Sequence, residues 1–361
     1  MKSLVFVTSF PSPHVMPLME ALQRHYTVTG CIQMMEMSQE RKSMGYDTAS
    51  SVEVISFSRE TVRCKKMILD ADVLIMACGN FEVLQERIAA NKEIYIMHER
   101  LFKKGLLKLL DPRLQKYRKI CKQAHGGKIY LLPIGVSSAR DFAFLGFPED
   151  KMYKFAYFPA VEPFEPVPRQ RETTEILWVG RMIRVKRPMM AIRLARFLPS
   201  DCKLTMVGSG KQMNQIKKYA DKHRLQVSLP GQLDNAEVRR LMRDSDILLS
   251  TSGRGEGWGA VINEGMNYGC AVVCSDSIGC YRTLVDEENA CIFKTGSLRS
   301  LVLAVRKAGS NLDHYRRASL KKISDEMNPE EAARRFSVLQ NKISAGEDPQ
   351  VFGTGICSKA K

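Results

Sequence analysis

Short apolar runs alternate with segments of helical length along most of the chain, and that alternation restricts the fold more than any other feature. In the first half the runs are Leu4–Thr8, Thr27–Ile32, Val73–Ala77, Ile94–Met97 and Ile129–Leu132. In the second they are Ile176–Val179, Leu204–Val207, Val227–Leu229, Ile247–Ser250, Ala271–Ser275 and Cys291–Phe293. Runs this short and apolar read as strands buried on both faces, joined by helical crossovers. Each half is therefore expected to be an α/β domain with a parallel, doubly wound sheet. Between the halves, Phe158-Pro-Ala-Val-Glu-Pro-Phe-Glu-Pro-Val-Pro168 holds four prolines, which exclude a helix or a central strand and point to a linker. With 361 residues the chain is long enough for two cores. The expected organisation is a domain over 1–160, a linker at 161–170 and a second domain over 171–327. A helix at 328–343 opens on Asn328-Pro-Glu-Glu331, an N-cap residue followed by proline and acids, and 344–361 reads as a frayed tail. Met35–Ser51, polar and without a period, reads as a long loop.

Charge narrows the partners. A formal net charge of +16 calls for an anionic one: nucleotide phosphate, nucleic acid or an anionic membrane surface. Residues 100–128 concentrate ten Lys/Arg against one Asp, with leucines interleaved. Two readings fit: a basic amphipathic surface lying on anionic lipid, or a solvated helix face whose leucines pack on the sheet. The ten cysteines lack a C-x-x-C pair or zinc spacing and read as reduced, buried thiols. No run approaches the ~20 apolar residues of a membrane span, so the expected location is the cytoplasm, at most peripheral to a membrane.

In parallel α/β sheets ligands bind at the carboxyl ends of the strands, and the glycines gather there. Thr251-Ser-Gly-Arg-Gly-Glu-Gly-Trp-Gly-Ala-Val-Ile-Asn-Glu-Gly-Met-Asn-Tyr-Gly269 follows one strand run and precedes another. It places Glu256 in a glycine-rich loop and Glu264 in a short helix, where backbone amides favour an anion. After Val179, Gly180 and Arg181 lead to Lys186, cations suited to phosphate oxygens, whereas Arg184 and Arg187 read as ordinary surface cations. Val207-Gly-Ser-Gly-Lys211 adds Gly208 and Gly210 on the same edge. His14 and His98 follow strands of the first half and are candidates for substrate contact or base chemistry. Asp70-Ala-Asp72 and Asp244-Ser-Asp246 lie at the opposite edge, so no metal site is expected.

Taken together, Gly180-Arg181 with Lys186, Val207-Gly-Ser-Gly210, Pro230-Gly231 and Glu256-Gly-Trp-Gly…Asn-Glu264-Gly-Met…Gly269 resemble the GT-B-fold retaining glycosyltransferases of the family-4-like group. Order and wording are most similar to bacterial capsule, O-antigen and exopolysaccharide transferases. The resemblance implies two Rossmann-like domains facing each other across a cleft, and transfer from a nucleotide-diphosphate sugar with no metal or other cofactor. It implies that Glu256, with the backbone amides of Gly257, Trp258 and Gly259, meets the donor sugar, that Glu264 holds the ribose, and that Arg181 and Lys186 hold the diphosphate. Gly180, Gly208, Gly210 and Gly231 would line the donor site, His98 would lie near the donor sugar, and His14 would sit on the acceptor side. The acceptor implied is a saccharide, lipid-linked, in surface polysaccharide synthesis. Where the family commonly has two glycines and an acid, this chain reads Gly279-Cys-Tyr-Arg-Thr283. Two rival readings are a GT-B sugar-nucleotide epimerase, which needs no acceptor, and a basic nucleic-acid-binding protein.

Overall fold

A computed structural model describes residues 1–39, 50–78, 80–103, 111–162 and 173–360. Two compact units emerge: Met1–Ala160 joined by Glu326–Lys361, and Val161–Asp325. The expected linker falls, apart from Val161 and Glu162, outside the described residues, as do parts of the expected loop at 35–51 and of the basic segment at 100–128.

The first unit holds a six-stranded sheet of β1 (Ser3–Thr8), β2 (Thr27–Gln33), β3 (Val54–Ser56), β4 (Val73–Met76), β5 (Glu93–His98) and β6 (Ile129–Pro133). Its order is β3-β2-β1-β4-β5-β6, every pair parallel. The five expected strands are present. The sixth, β3, is a three-residue edge strand in which only Ile55 is buried, too short and too exposed to form an apolar run. Helix α1 (Met16–Leu22) packs against the late helix Pro329–Ala345, which belongs to this unit. Asn328 caps that helix by accepting from Glu331 N at 2.8 Å. Its buried Gln340 accepts from Tyr26 Oη at 3.2 Å and donates to Glu93 Oε2 at 2.9 Å. Burial, with Glu93 nearby, raises the Tyr26 hydroxyl's pKa and keeps it protonated.

One expectation fails here. The end of the chain is not a frayed tail: Ile356, Cys357 and Ala360 are buried, and Lys359 bridges to Tyr153 as an antiparallel neighbour. Met152 O accepts from Ala360 N at 3.0 Å, and Cys357 N donates to Lys154 O at 2.8 Å. The apolar side chains of this short stretch gain a core, and its backbone gains partners, which outweighs the ordering entropy of a chain end.

In the second unit β7 (Thr174–Val179), β8 (Cys202–Val207), β9 (Val227–Gly231), β10 (Ile247–Ser250), β11 (Ala271–Ser275) and β12 (Ala290–Phe293) form a second parallel sheet. All six were expected. The order is β12-β11-β10-β7-β8-β9, so the winding reverses between β7 and β10. At such a reversal the loops leaving neighbouring strands diverge to opposite faces and open a crevice. All residues of β10 and β11 are buried. Helix Asn235–Asp244 starts on a capping box in which Asp234 accepts from Glu237 N at 2.8 Å, as Asp234-Asn-Ala-Glu237 predicts.

Candidate active site

The two loops that leave the reversal point of the second sheet are tied together from below. Trp178, near the end of β7, is buried and donates through Nε1 to Thr251 Oγ1 at 2.9 Å. The Thr251 hydroxyl reaches Lys186 O at 2.8 Å and Arg187 O at 3.1 Å. Gly253 N then donates to Val185 O at 2.9 Å. A buried indole, one hydroxyl and one amide thus hold the loop after β7 against the loop after β10.

That registration brings Lys186 and Glu256 together. Lys186 Nζ lies 2.6 Å from Glu256 Oε2, with the side chains 18% and 15% exposed. Ser252, itself buried, donates to the same Oε2 at 3.0 Å. Its carbonyl in turn accepts from Ser275 Oγ at 2.5 Å. One carboxylate oxygen therefore carries both the ammonium and the hydroxyl. Water is largely displaced around this pair, so each charge acts on a ligand with less screening than at an open surface. Arg181, on the same loop, is exposed, and its guanidinium makes no hydrogen bond or ion pair among the described residues.

Beside this pair, the ends of β7, β8 and β9 meet at glycines. Gly180 N donates to Val207 O at 3.0 Å and Gly208 N to Gly231 O at 2.7 Å. A Cβ on Gly208 would lie 2.0 Å from Gly180 O, and its φ is +131°, so only glycine lets these strand ends approach. Gly210 packs against Met182. Close behind, Gln212 Oε1 is buried without a hydrogen-bond partner among the described residues.

Glu256 is followed by a backbone clamped from the far side. Gly279 passes so close to Gly257 that an added Cβ would lie 1.5 Å from Gly257 O, and Cys280 N donates to Trp258 O at 3.0 Å. Trp258, expected to meet the donor through its backbone amide, has its ring in the core: it is 1% exposed and donates to the buried Asn263 Oδ1 at 2.7 Å. What it offers a ligand is backbone. Gly259 has φ +92°. Glu264, half-buried, occupies the first turn of helix Val261–Asn267, which is only seven residues long.

His98 and His14 belong to the first unit. His98 ends β5 with both ring nitrogens engaged, Nδ1 on Glu99 O and Nε2 on Tyr117 Oη at 2.9 Å. Phe142 packs edge-on against the ring. The Glu99 carbonyl can only accept, so Nδ1 carries the proton, and Nε2 of the neutral ring accepts from the Tyr117 hydroxyl. His14 follows β1, 6.3 Å from the Tyr157 ring between centroids, and its carbonyl accepts from Phe158 N. Burial, reinforced by Glu99, keeps the Tyr157 hydroxyl protonated. All ten cysteines are free, and burial pushes the Cys121 thiol up to about 11 and the Cys31 thiol to about 12, which makes neither a nucleophile.

Three residues that shape this site escaped the sequence reading: Thr251, Ser252 and Asn263. Serine and threonine are common at strand ends, and nothing in their spacing marks these ones.

The family match falls on the same half of the chain. Residues 162–324 match the family described as glycosyl transferases group 1. Phosphatidyl-myo-inositol mannosyltransferase of Mycobacterium tuberculosis is 29% identical over 136 residues, a match that spans 36% of this chain and 35% of that protein. Among solved structures, Anabaena Alr3699/HepE in complex with UDP superposes with a TM-score of 0.72 at 13% identity, covering 96% of this chain and 100% of the other. The lipopolysaccharide outer core galactosyltransferase WaaB superposes with a TM-score of 0.71, also at 13% identity, over 96% of this chain and 100% of that one. At such identities the likeness is one of fold, and the fold is GT-B, built from two Rossmann-like units.

Proposed function

We propose, from the match of residues 162–324 to the group 1 glycosyl transferases, that the protein moves a sugar from a nucleoside-diphosphate sugar to a saccharide acceptor, with retention of configuration and without a metal ion. The observation that carries this reading is the Lys186–Glu256 pair at the reversal point of the second sheet. Breaking the bond between an anomeric carbon and a diphosphate puts negative charge on phosphate and positive charge on the sugar ring. A fixed ammonium beside a fixed carboxylate matches that separation. Lys186 and Arg181 take the diphosphate, and Glu256 takes the sugar hydroxyls and favours the cationic ring. One preorganised donor of this kind typically lowers a barrier by about 2.7–4 kcal/mol. Gly180, Gly208, Gly210 and Gly231 let the nucleotide lie against backbone, Glu264 binds the ribose, and the amides of Gly257–Gly259 face the sugar. The acceptor hydroxyl attacks from the side the phosphate leaves, and the departing phosphate takes its proton.

The acceptor is assigned to the first unit, where His14 and His98 follow strand ends. With both nitrogens engaged, His98 shapes that surface and does not serve as a free base. A lipid-linked saccharide and a role in surface polysaccharide synthesis fit helix Arg113–Gly126, which carries five Lys/Arg and no acid and suits an anionic membrane surface. The proposed association is peripheral; among the described residues no helix is long and apolar enough to cross a membrane.

The test is Glu256→Ala, assayed with UDP-, GDP- and ADP-sugars and a saccharide acceptor. Transfer should vanish while thermal unfolding stays cooperative, and wild-type transfer by the variant refutes the assignment. Transfer lost to a chelator and restored by a divalent ion refutes metal independence. Donor turnover without acceptor favours an epimerase.

A further inference from the structure

We propose that Arg187, which reads from sequence as a surface cation, is an oxyanion-binding residue of this site, a role that rests on the donor reading above. Its backbone lies in the left-handed region, φ 49° and ψ 48°, where any residue with a Cβ is strained and glycine is not. The surroundings hold it there: its carbonyl and that of Lys186 share the Thr251 hydroxyl, which the buried Trp178 fixes from behind. The side chain runs along the carboxyl edge of the sheet. A Cβ on Gly253 would lie 2.8 Å from Arg187 Nε, and one on Gly296 would lie 3.4 Å from its Nη1. The loops after β10 and β12 are thus pared to backbone where the guanidinium passes.

Arg187 is half-buried, and among the described residues its guanidinium makes no hydrogen bond or ion pair. Glu256, three residues beyond Gly253, has its Oε2 occupied by Lys186 and Ser252. Backbone strain retained at one residue, glycines that clear its path and an unpaired planar cation at the end together describe a group kept for a ligand's oxygens. Arg187 is the chain neighbour of Lys186, so the ligand chemistry is a phosphate oxygen of the nucleoside diphosphate.

Calorimetric titration of UDP, GDP and ADP, each beside its uncharged nucleoside, tests this on the wild type, Arg187→Gly and Arg187→Lys. Arg187→Gly should weaken the preferred diphosphate at least about 10-fold, equivalent to about 1.4 kcal/mol, and leave the nucleoside within about 2-fold. Arg187→Lys should fall between. Because glycine relieves the strain, the unfolding midpoint of Arg187→Gly should be no lower than that of the wild type, which separates lost binding from lost structure. If glycine fails to fold, Arg187→Asn, which tolerates the same backbone, carries the same expectation. Diphosphate affinity within about 2-fold of wild type, or nucleoside affinity falling in step with it, overturns the role of Arg187 alone. A wild type that binds none of the three diphosphates overturns the donor reading and this inference with it.

Discussion

Gly279→Ala asks whether the loop that carries Glu256 is held where the proposed chemistry needs it. The new Cβ would lie 1.5 Å from Gly257 O and 2.9 Å from Trp258 Cα, against an ordinary contact of 3.4 Å or more. One of two backbones must therefore retreat by about 2 Å. Neither gives way freely: Trp258 O is bonded to Cys280 N, and the Trp258 ring is fixed to Asn263. Overpacking of this kind costs about 1–3 kcal/mol. In a protein of 150–250 residues each kcal/mol lowers the midpoint by roughly 2–4 °C, so a fall of about 2–12 °C is expected for the second unit. The effect on turnover should be larger, because displacement by about 1 Å in an active site can cost roughly 100-fold. Gly309→Ala is the matched control: it lies in helix Leu298–Ser310 and a Cβ there meets nothing within 4 Å. It should gain about 0.5–1 kcal/mol with unchanged activity. Differential scanning calorimetry and a transfer assay on both variants decide the matter. A Gly279→Ala protein with the wild-type midpoint and rate would refute the reasoning, since the loop would then not be pinned at that point.

Two further outcomes are expected. Trp258→Phe keeps an aromatic ring, smaller than the indole, and removes the donor to buried Asn263 Oδ1; it should cost at least about 1–3 kcal/mol in urea unfolding, and no change would show that this bond does not hold the loop. Glu331 has its carboxyl held at about 2, chiefly by its hydrogen bond to Arg334, with burial opposing and Arg335 assisting. Its folded value lies below the ordinary 4.5, so its contribution is complete above about pH 4.5 and is lost as the pH falls toward 2. Glu331→Gln should show a shallower acid-side decline in unfolding midpoint between pH 5 and 3, and parallel curves would exclude this role.

The strands were legible because each central one is buried on both faces and must be apolar along its length. Strand β3 was not, since a three-residue edge strand with one buried side chain leaves no run. Strand order cannot be read from such runs. The reversal between β7 and β10 that unites Lys186 with Glu256 therefore appears only in three dimensions, although glycine spacing had pointed to both residues. Burial of the Trp258 ring was not legible, because its partner, Asn263, is an ordinary polar residue on a helix. The end of the chain misled because Ile356, Cys357 and Ala360 are too few and too interrupted to form a run, and a stretch docked through an isolated bridge carries no period.

The discontinuity of the first unit also has a consequence for biosynthesis. The Val161–Asp325 unit is a contiguous insertion, whereas Met1–Ala160 is completed only by Glu326–Lys361. Translation proceeds at roughly 5–20 residues per second, so the first unit waits about 10–40 s for its last pieces after Ala160 is made. Until they arrive, α1 lacks the cover of helix Pro329–Ala345, the Tyr26 hydroxyl lacks Gln340, and Tyr153 lacks its bridge partner Lys359. The inserted unit can finish folding in that interval. The half that starts first is thus completed last, and the face of α1 that the late helix covers stays open until then.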